Sequence, residues 1–183
     1  MTLDKLLPII VSSSYFVNDV FQAPHCNIIH KDLSLTWVLL NTNGMMTYIT
    51  KADVENWESK GINWKEQAFN NLIEIDEYFY THEKRDDQGE LIWVAFMNSD
   101  GLGSSRLLRD GELLTLFPDG YLLAIPDRSM GLAFPSSLND EDRSNILSLI
   151  SNCYINATIP MMNGIIKPHE LFCENIKEGP DFV

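Results

Sequence analysis

The feature that most constrains this chain is a series of short apolar runs arranged in pairs, each pair separated by turn-forming residues. Residues 35–40 (LTWVLL) and 45–49 (MMTYI) flank Asn41-Thr42-Asn43-Gly44, and an Asn-Gly step between apolar runs is a hairpin signal. Residues 77–83 (EYFYTHE) and 90–97 form a second pair across the polar link 84–89. Residues 121–125 and 130–134 form a third through Pro126-Asp127-Arg128-Ser129, where Pro126 lacks an N–H and marks a strand end. Within the second pair, residues 91–97 (LIWVAFM) are a continuous apolar run of a length that fits a strand covered on both faces.

Helical signals follow these pairs. Thr50-Lys51-Ala52-Asp53 opens a short helix through Trp57, and Gly61 punctuates it. Asn63 and Glu66 have capping-box spacing ahead of a helix carrying Ala68, Leu72 and Ile75 on one face. A helical segment over 104–117 is interrupted at Gly111 and stopped by Pro118-Asp119-Gly120. The clearest helix starts at Asn139, with three acids in its first turn and Ile146, Leu149, Ile150 and Cys153 at helical spacing. The order hairpin–helix recurs three times without recurrence of residues. The expected architecture is α+β: an antiparallel-rich sheet built from three hairpin–helix units, with the helices mainly on one face. Strand order cannot be read from the sequence. Residues 2–22 read as an N-terminal helix with a rough apolar stripe. Residues 160–173 read as a loop with a short extended piece near Ile165-Ile166, and the acidic end over about 174–183 as loosely held.

Length and composition set the class. One domain is expected from 183 residues, and 45% hydrophobic residues suffice for a core. Acidic residues outnumber basic ones 26 to 13, a formal charge of −13. This excludes a nucleic-acid or anionic-membrane partner, since both need clustered Lys and Arg, and it suits a basic protein partner. The first twenty residues lack the positive n-region of a signal peptide, and no run is long enough to span a bilayer. Cys26, Cys153 and Cys173 do not make a disulfide framework and fit a reducing compartment, so a cytoplasmic location is expected.

The candidate ligand site lies after the 91–97 run. Asp100, Gly101 and Gly103 form a glycine-rich turn, and Ser104 and Ser105 stand where a helix begins at Arg106. Backbone N–H groups at such an end attract anions, and Arg106 and Arg128 add charge, which points to a small anion or phosphate ester. The same pattern is also that of an ordinary serine-capped loop. No lysine follows as a phosphate-binding loop requires, the glycine order of a dinucleotide site is absent, and no Gly-x-Ser-x-Gly elbow marks a nucleophile.

Four residues carry a weak metal alternative: Cys26 with His30, and His169 with Cys173, two i, i+4 pairs of zinc-ligand type far apart in sequence. The competing reading is buried thiols and partly exposed histidines. Asp86-Asp87 and 140–142 sit in a turn and at a helix start, where acids are expected without a cation. Trp37, Trp57, Trp64 and Trp93 read as core. No cofactor fingerprint is present.

Trp37-Val38-Leu39, Tyr48-Ile49-Thr50, Trp57, the helix Ala68-Phe69-Asn70-Asn71-Leu72, Ser104-Ser105-Arg106-Leu107-Leu108 and Leu123-Ala124-Ile125-Pro126 together resemble the YtpQ-like bacterial proteins, a family of unknown function. In that family an Ala-x-x-Asn-Leu helix precedes a strand pair, a serine-rich helix start and a strand ending at proline. The resemblance covers residues 33–135 and implies a shared core without catalytic residues. The function expected from all of this is a non-enzymatic cytoplasmic binding or regulatory protein acting through a protein partner, with an immunity- or antitoxin-like role as one version. The alternative is an anion- or ligand-binding domain, or a small enzyme, with its pocket at 100–106.

Overall fold

The computed structural model describes residues 3–17, 22–41, 44–75 and 80–172. Among these, eight strands fall into two antiparallel sheets. In the first, β1 (Leu6–Ser12) pairs with β3 (Leu33–Leu40), placing Pro8 opposite Trp37. The other edge of β3 is shared. β2 (His25–Asn27) takes its first half and β4 (Met46–Tyr48) its second. The second sheet has the order β5 (His82–Arg85), β6 (Leu91–Phe96), β8 (Met130–Pro135), β7 (Tyr121–Asp127). The returning chain covers the outer edge of β7 through bridges Leu123–Ile166 and Asp127–Pro160. The three expected hairpins form, as β3–β4, β5–β6 and β7–β8, but Lys84 and Arg85 of the expected second link belong to β5, Pro126 and Asp127 of the expected third turn belong to β7, and residues 77–79 lie outside the described residues.

Among the described residues there are also four α-helices: α1 (Lys51–Glu58), α2 (Trp64–Glu74), α3 (Asp110–Leu116) and α4 (Asp140–Ile155). Local chemistry sets their starts. At α1, Asp53 N–H donates to Thr50 Oγ1 (3.2 Å) and Thr50 N–H to Asp53 Oδ2 (2.8 Å), a complete capping box. Asn139 Oδ1 accepts from Asp142 N–H (2.8 Å) at α4. Asn63 caps α2, though its amide reaches the Glu66 carboxylate (2.6 Å) rather than completing a box through the backbone. The helix expected over 104–117 is divided at Arg109 into a 3-10 turn (Ser105–Leu108) and α3.

The interior is shared by the two sheets. One buried cluster draws Leu6 and Ile10 from β1, Leu35, Trp37 and Leu39 from β3, Trp57, Trp64 and Ala68 from α1 and α2, and Val94, Phe96, Leu123 and Ile125 from the second sheet. The far side of the second sheet is closed by α4, where Ile146 and Ile150 meet Ala124, Leu132 and Phe134.

The N-terminal helix expected over 2–22 is not formed: residues 6–12 are strand β1. Its residues 6–11 are all buried. A helix of this kind hides one stripe, whereas a strand between two packed faces hides every residue, as the run LLPIIV requires. Pro8 is accommodated because β1 is an edge strand with one row of N–H groups outside the ladder. The expectation for residues 174–183 lies outside the described residues.

Two close approaches hold the 98–108 segment onto the second sheet. A Cβ built on Gly103 would lie 2.1 Å from Ser129 O and 2.3 Å from Phe96 O, and one on Gly131 would lie 2.8 Å from Gly103 O. Gly103→Ala should therefore destabilise the fold by about 3 kcal/mol or more, since backbone rather than a movable side chain occupies the space. Gly111→Ala, inside α3 with nothing within 4 Å, should stabilise it by about 0.5–1 kcal/mol. Urea unfolding of the two variants checks both signs.

Asp127 fastens the end of β7 to the returning chain. Its Oδ1 accepts from Ser129 N–H and Oγ–H (2.7 Å each), and its Oδ2 from Ile159 N–H (2.9 Å). Burial by itself would raise this carboxyl, but the donors from Ser129 and Ile159 outweigh it and hold it below its ordinary value. A depressed folded value means stability that is present above the unfolded value of about 3.9 and lost as pH falls through the folded one. Asp127→Asn should lower the melting temperature at pH 7 and flatten its decline between about pH 5 and 2. A decline as steep as that of the unaltered chain would assign the acid limb to other carboxylates.

Candidate functional site

The glycine-rich turn brings its sequence-predicted residues together but turns the arginine inward. Arg106 is 0% exposed, and its guanidinium donates to both Asp100 oxygens (3.1 and 2.7 Å). Asp100 Oδ1 also accepts from Leu102 N–H (2.9 Å). Ser104 and Ser105 are buried, and Ser104 Oγ–H donates to Arg128 O (2.5 Å). Gly101 takes a positive φ of 73°, which the turn requires. Arg128 is half-buried beside Tyr48, whose phenol is pushed up by burial against the lowering effect of Arg128. The loop thus uses Arg106 and Ser104 to hold its conformation, while the buried Asn98 Oδ1 and Arg128 Nε have no partner. An anion pocket there would have to compete with Asp100 for the guanidinium.

The weak metal set is decided by Cys26, which is disulfide-bonded and so has no thiolate to offer. This also corrects the reading of the three cysteines as thiols; Cys153 is free, and burial pushes its thiol up. The backbone does bring the two stretches together, with Ile29 N–H donating to Phe172 O (2.9 Å) and His30 N–H to Glu170 O (2.8 Å). Cys173 lies outside the described residues. Among those described, no three His, Cys, Asp or Glu side chains are placed to hold a metal ion.

A different site is formed where the first sheet meets α1 and α2. It is an open cleft of about 510 Å³, floored by Trp37 and Trp64 and walled by Phe16, Pro24 and His25. Its position follows from local bonds. Ser13, in the 3-10 turn Ser13–Phe16 after β1, donates its Oγ–H to Lys31 O (2.9 Å) and its N–H to Asp32 O (3.0 Å), which brings Phe16 over β2. Thr36 Oγ1–H donates to Pro24 O (2.7 Å), tying the other wall to β3. The Phe16 ring stacks on the His25 imidazole at 3.6 Å and 14°. His25 Nδ1 lies 3.1 Å from Ala23 O, so Nδ1 carries the proton and donates.

The floor is rigid. Trp64 meets Trp37 edge-on, with centroids 4.8 Å apart at 78°, and Trp57 backs it at 6.0 Å. Lys65 Nζ lies 5.7 Å from the Trp37 centroid and 5.4 Å from that of Trp64, within cation–π range. The Trp64 indole N–H points to Glu58 Oε1 (3.4 Å), whereas the buried Trp37 Nε1 has no acceptor. Lys51, Glu55 and Glu58 of α1 complete the rim. A smaller cleft of about 300 Å³ lies beside Asn71, but that amide already donates to Leu3 O (2.7 Å) and Leu6 O (2.8 Å).

Of the four tryptophans expected in the core, Trp37, Trp57 and Trp64 lie there at 3–5% exposure, while Trp93 is only partly buried, against the cluster under α4. The sequence reading missed that the edges of Trp37 and Trp64 surface as a cleft floor. The available signal was Trp64 beside Lys65 and seven residues from Trp57; nothing local pointed to Phe16, Pro24 or His25.

No protein-family model, curated protein or solved structure matches this chain.

The Asp100–Arg106 pair has a measurable consequence. Asp100→Ala leaves a buried guanidinium short of its carboxylate and should cost about 3–5 kcal/mol. Adding Arg106→Met to that variant should recover part of the loss, because the buried charge deprived of Asp100 is gone. Denaturant unfolding of the single and double variants measures this, and a double variant less stable than Asp100→Ala would contradict it.

Proposed function

We propose that this chain is a non-enzymatic binding protein that acts through a protein partner, with the aromatic cleft as its contact face. The feature that carries the reading is the open cleft of about 510 Å³ itself, lined by Phe16, Pro24 and His25 and rimmed by the exposed Glu55 and Glu58. Aromatic rings grouped in a concave site are the usual anchors of protein interfaces.

The rest of the molecule supports binding over turnover. Ser104's hydroxyl is committed to a backbone carbonyl, burial keeps the Cys153 thiol protonated, and Cys26 is in a disulfide. The formal charge of −13 favours a basic partner and speeds its approach. An immunity- or antitoxin-like role, in which a folded acidic chain occupies another protein, is the version that these features fit. No helix among the described residues is long and apolar enough to cross a membrane. The composition suits the cytoplasm, whereas a disulfide at Cys26 survives best in an oxidising compartment. The partner is to be sought where that bond persists.

The test is retention of a partner by the immobilised chain and by its Glu55→Arg variant, a change at an exposed rim position. The unaltered chain should hold a stoichiometric protein that the variant, with unchanged melting temperature, releases. Equal retention by both would move the interface off the cleft. A melting-temperature rise with nucleotides, sugar phosphates or metal ions, with no protein retained, would replace the reading with a ligand-binding one.

A further inference from the structure

We infer that the Asn163-Gly164 step is a self-modifying site: Asn163 converts through a cyclic imide to aspartate and isoaspartate, and the conversion loosens the chain that covers the outer edge of β7. The cleft takes no part in it. Asn-Gly steps stand at two places in the sequence, 43–44 and 163–164. The reaction needs a main-chain nitrogen free to attack the asparagine side chain. Glycine gives that nitrogen the least hindered approach, because it has no Cβ. The structure separates the two steps. Gly44 N–H is held by Asn41 O (2.9 Å). Gly164 N–H has no acceptor among the described residues, and it lies in a bend outside helix and strand. The Asn163 side chain is exposed and makes no hydrogen bond among those residues.

The atoms balance without any cofactor. The Gly164 nitrogen gives its proton to base and bonds to Asn163 Cγ. The Cγ–Nδ2 bond breaks, and the amide nitrogen leaves as ammonia. Water then opens the imide at one of its two carbonyls. Opening at Cγ gives aspartate, and opening at the main-chain carbonyl gives isoaspartate, in which the chain runs through the former side chain. Either way one water is consumed, and a neutral amide becomes a carboxylate on a chain whose formal charge is already −13.

The position of the step gives the conversion its effect. Before the bend, Met161 N–H donates to Pro126 O (3.2 Å) and Met162 N–H to Ile125 O (3.1 Å). After it, Ile166 N–H donates to Leu123 O (2.8 Å) and Leu123 N–H to Ile166 O (2.9 Å), with Ile166 buried. These bonds cover the outer edge of β7, which ends the order of its sheet. Isoaspartate puts an extra methylene into the main chain between the two sets of anchors, so both no longer fit one register of β7. An edge strand stripped of its cover presents unpaired N–H and C=O groups to another chain.

The test stores the full chain in neutral and in mildly alkaline buffer and maps its peptides by mass spectrometry over time. The peptide holding Asn163 should gain one mass unit, faster in the alkaline buffer and well ahead of the peptide holding Asn43. Gly164→Ala should slow the gain by about tenfold or more, since a methyl crowds the attacking nitrogen. That variant should fold, because Gly164 is not in the left-handed region and an added Cβ would meet only the movable Met162 Cε, at 3.1 Å. The converted chain should melt at a lower temperature and self-associate on a sizing column. Asn163→Asp, which has the charge without the added methylene, should behave as the fresh chain does. Equal gain at both Asn-Gly steps, or gain at residue 163 as fast in Gly164→Ala, overturns the site. Conversion to isoaspartate with melting and size unchanged overturns the loosening of the β7 edge.

Discussion

Strand β3 pairs with three other strands, and both of its faces are covered. Leu35, Trp37 and Leu39 enter the interior shared with the second sheet, while Val38 joins Leu7, Ile9 and Val11 on the other side. A strand buried in this way cannot slip by one residue, because a slip exchanges the two faces and would put Trp37 where Val38 now fits. Its register sets that of β1, β2 and β4. Through β2 and the turn after β1, it also sets where Phe16, Pro24 and His25 stand opposite the tryptophans. The cleft therefore depends on the correct seating of one strand.

The tryptophans serve the core first. A ring of this size buries roughly 200 Å², worth about 5 kcal/mol at the usual coefficient. Leaving the buried Trp37 donor unmet costs about 1–3 kcal/mol. Burial wins by that margin, which is how a ring can be held firmly with its donor unmet. The same rigidity gives the cleft its shape, since Trp57 and Trp64 hold the floor from α1 and α2 whether or not anything is bound.

The 98–106 turn shows the opposite use of polar groups. There Arg106, Asp100 and Ser104 are matched to one another or to backbone, and Gly103 brings main chain against main chain at a distance no side chain tolerates. Those paired groups suit the turn to holding two sheets together, although the buried Asn98 Oδ1 at its start has no partner. A sequence pattern that reads as anion-binding, glycine then serine then arginine, is here a fastening between β6, β8 and the first sheet.

What the chain's own order of residues determined was local. Asn41 to Gly44, the 84–89 link and Pro126 to Ser129 mark hairpins because turn geometry depends on the residues in the turn. Thr50, Asn63 and Asn139 mark helix starts because a cap bonds a backbone N–H two or three residues away. The run LLPIIV was ambiguous for the same reason: period alone cannot distinguish one buried face from two, and only packing against β3 made it a strand. The inward turn of Arg106, the disulfide state of Cys26 and the meeting of Phe16, Pro24 and His25 with Trp37 and Trp64 were decided by tertiary structure alone. Each depends on groups brought close by sheet pairing rather than by position along the chain, and a single sequence carries no record of such distances.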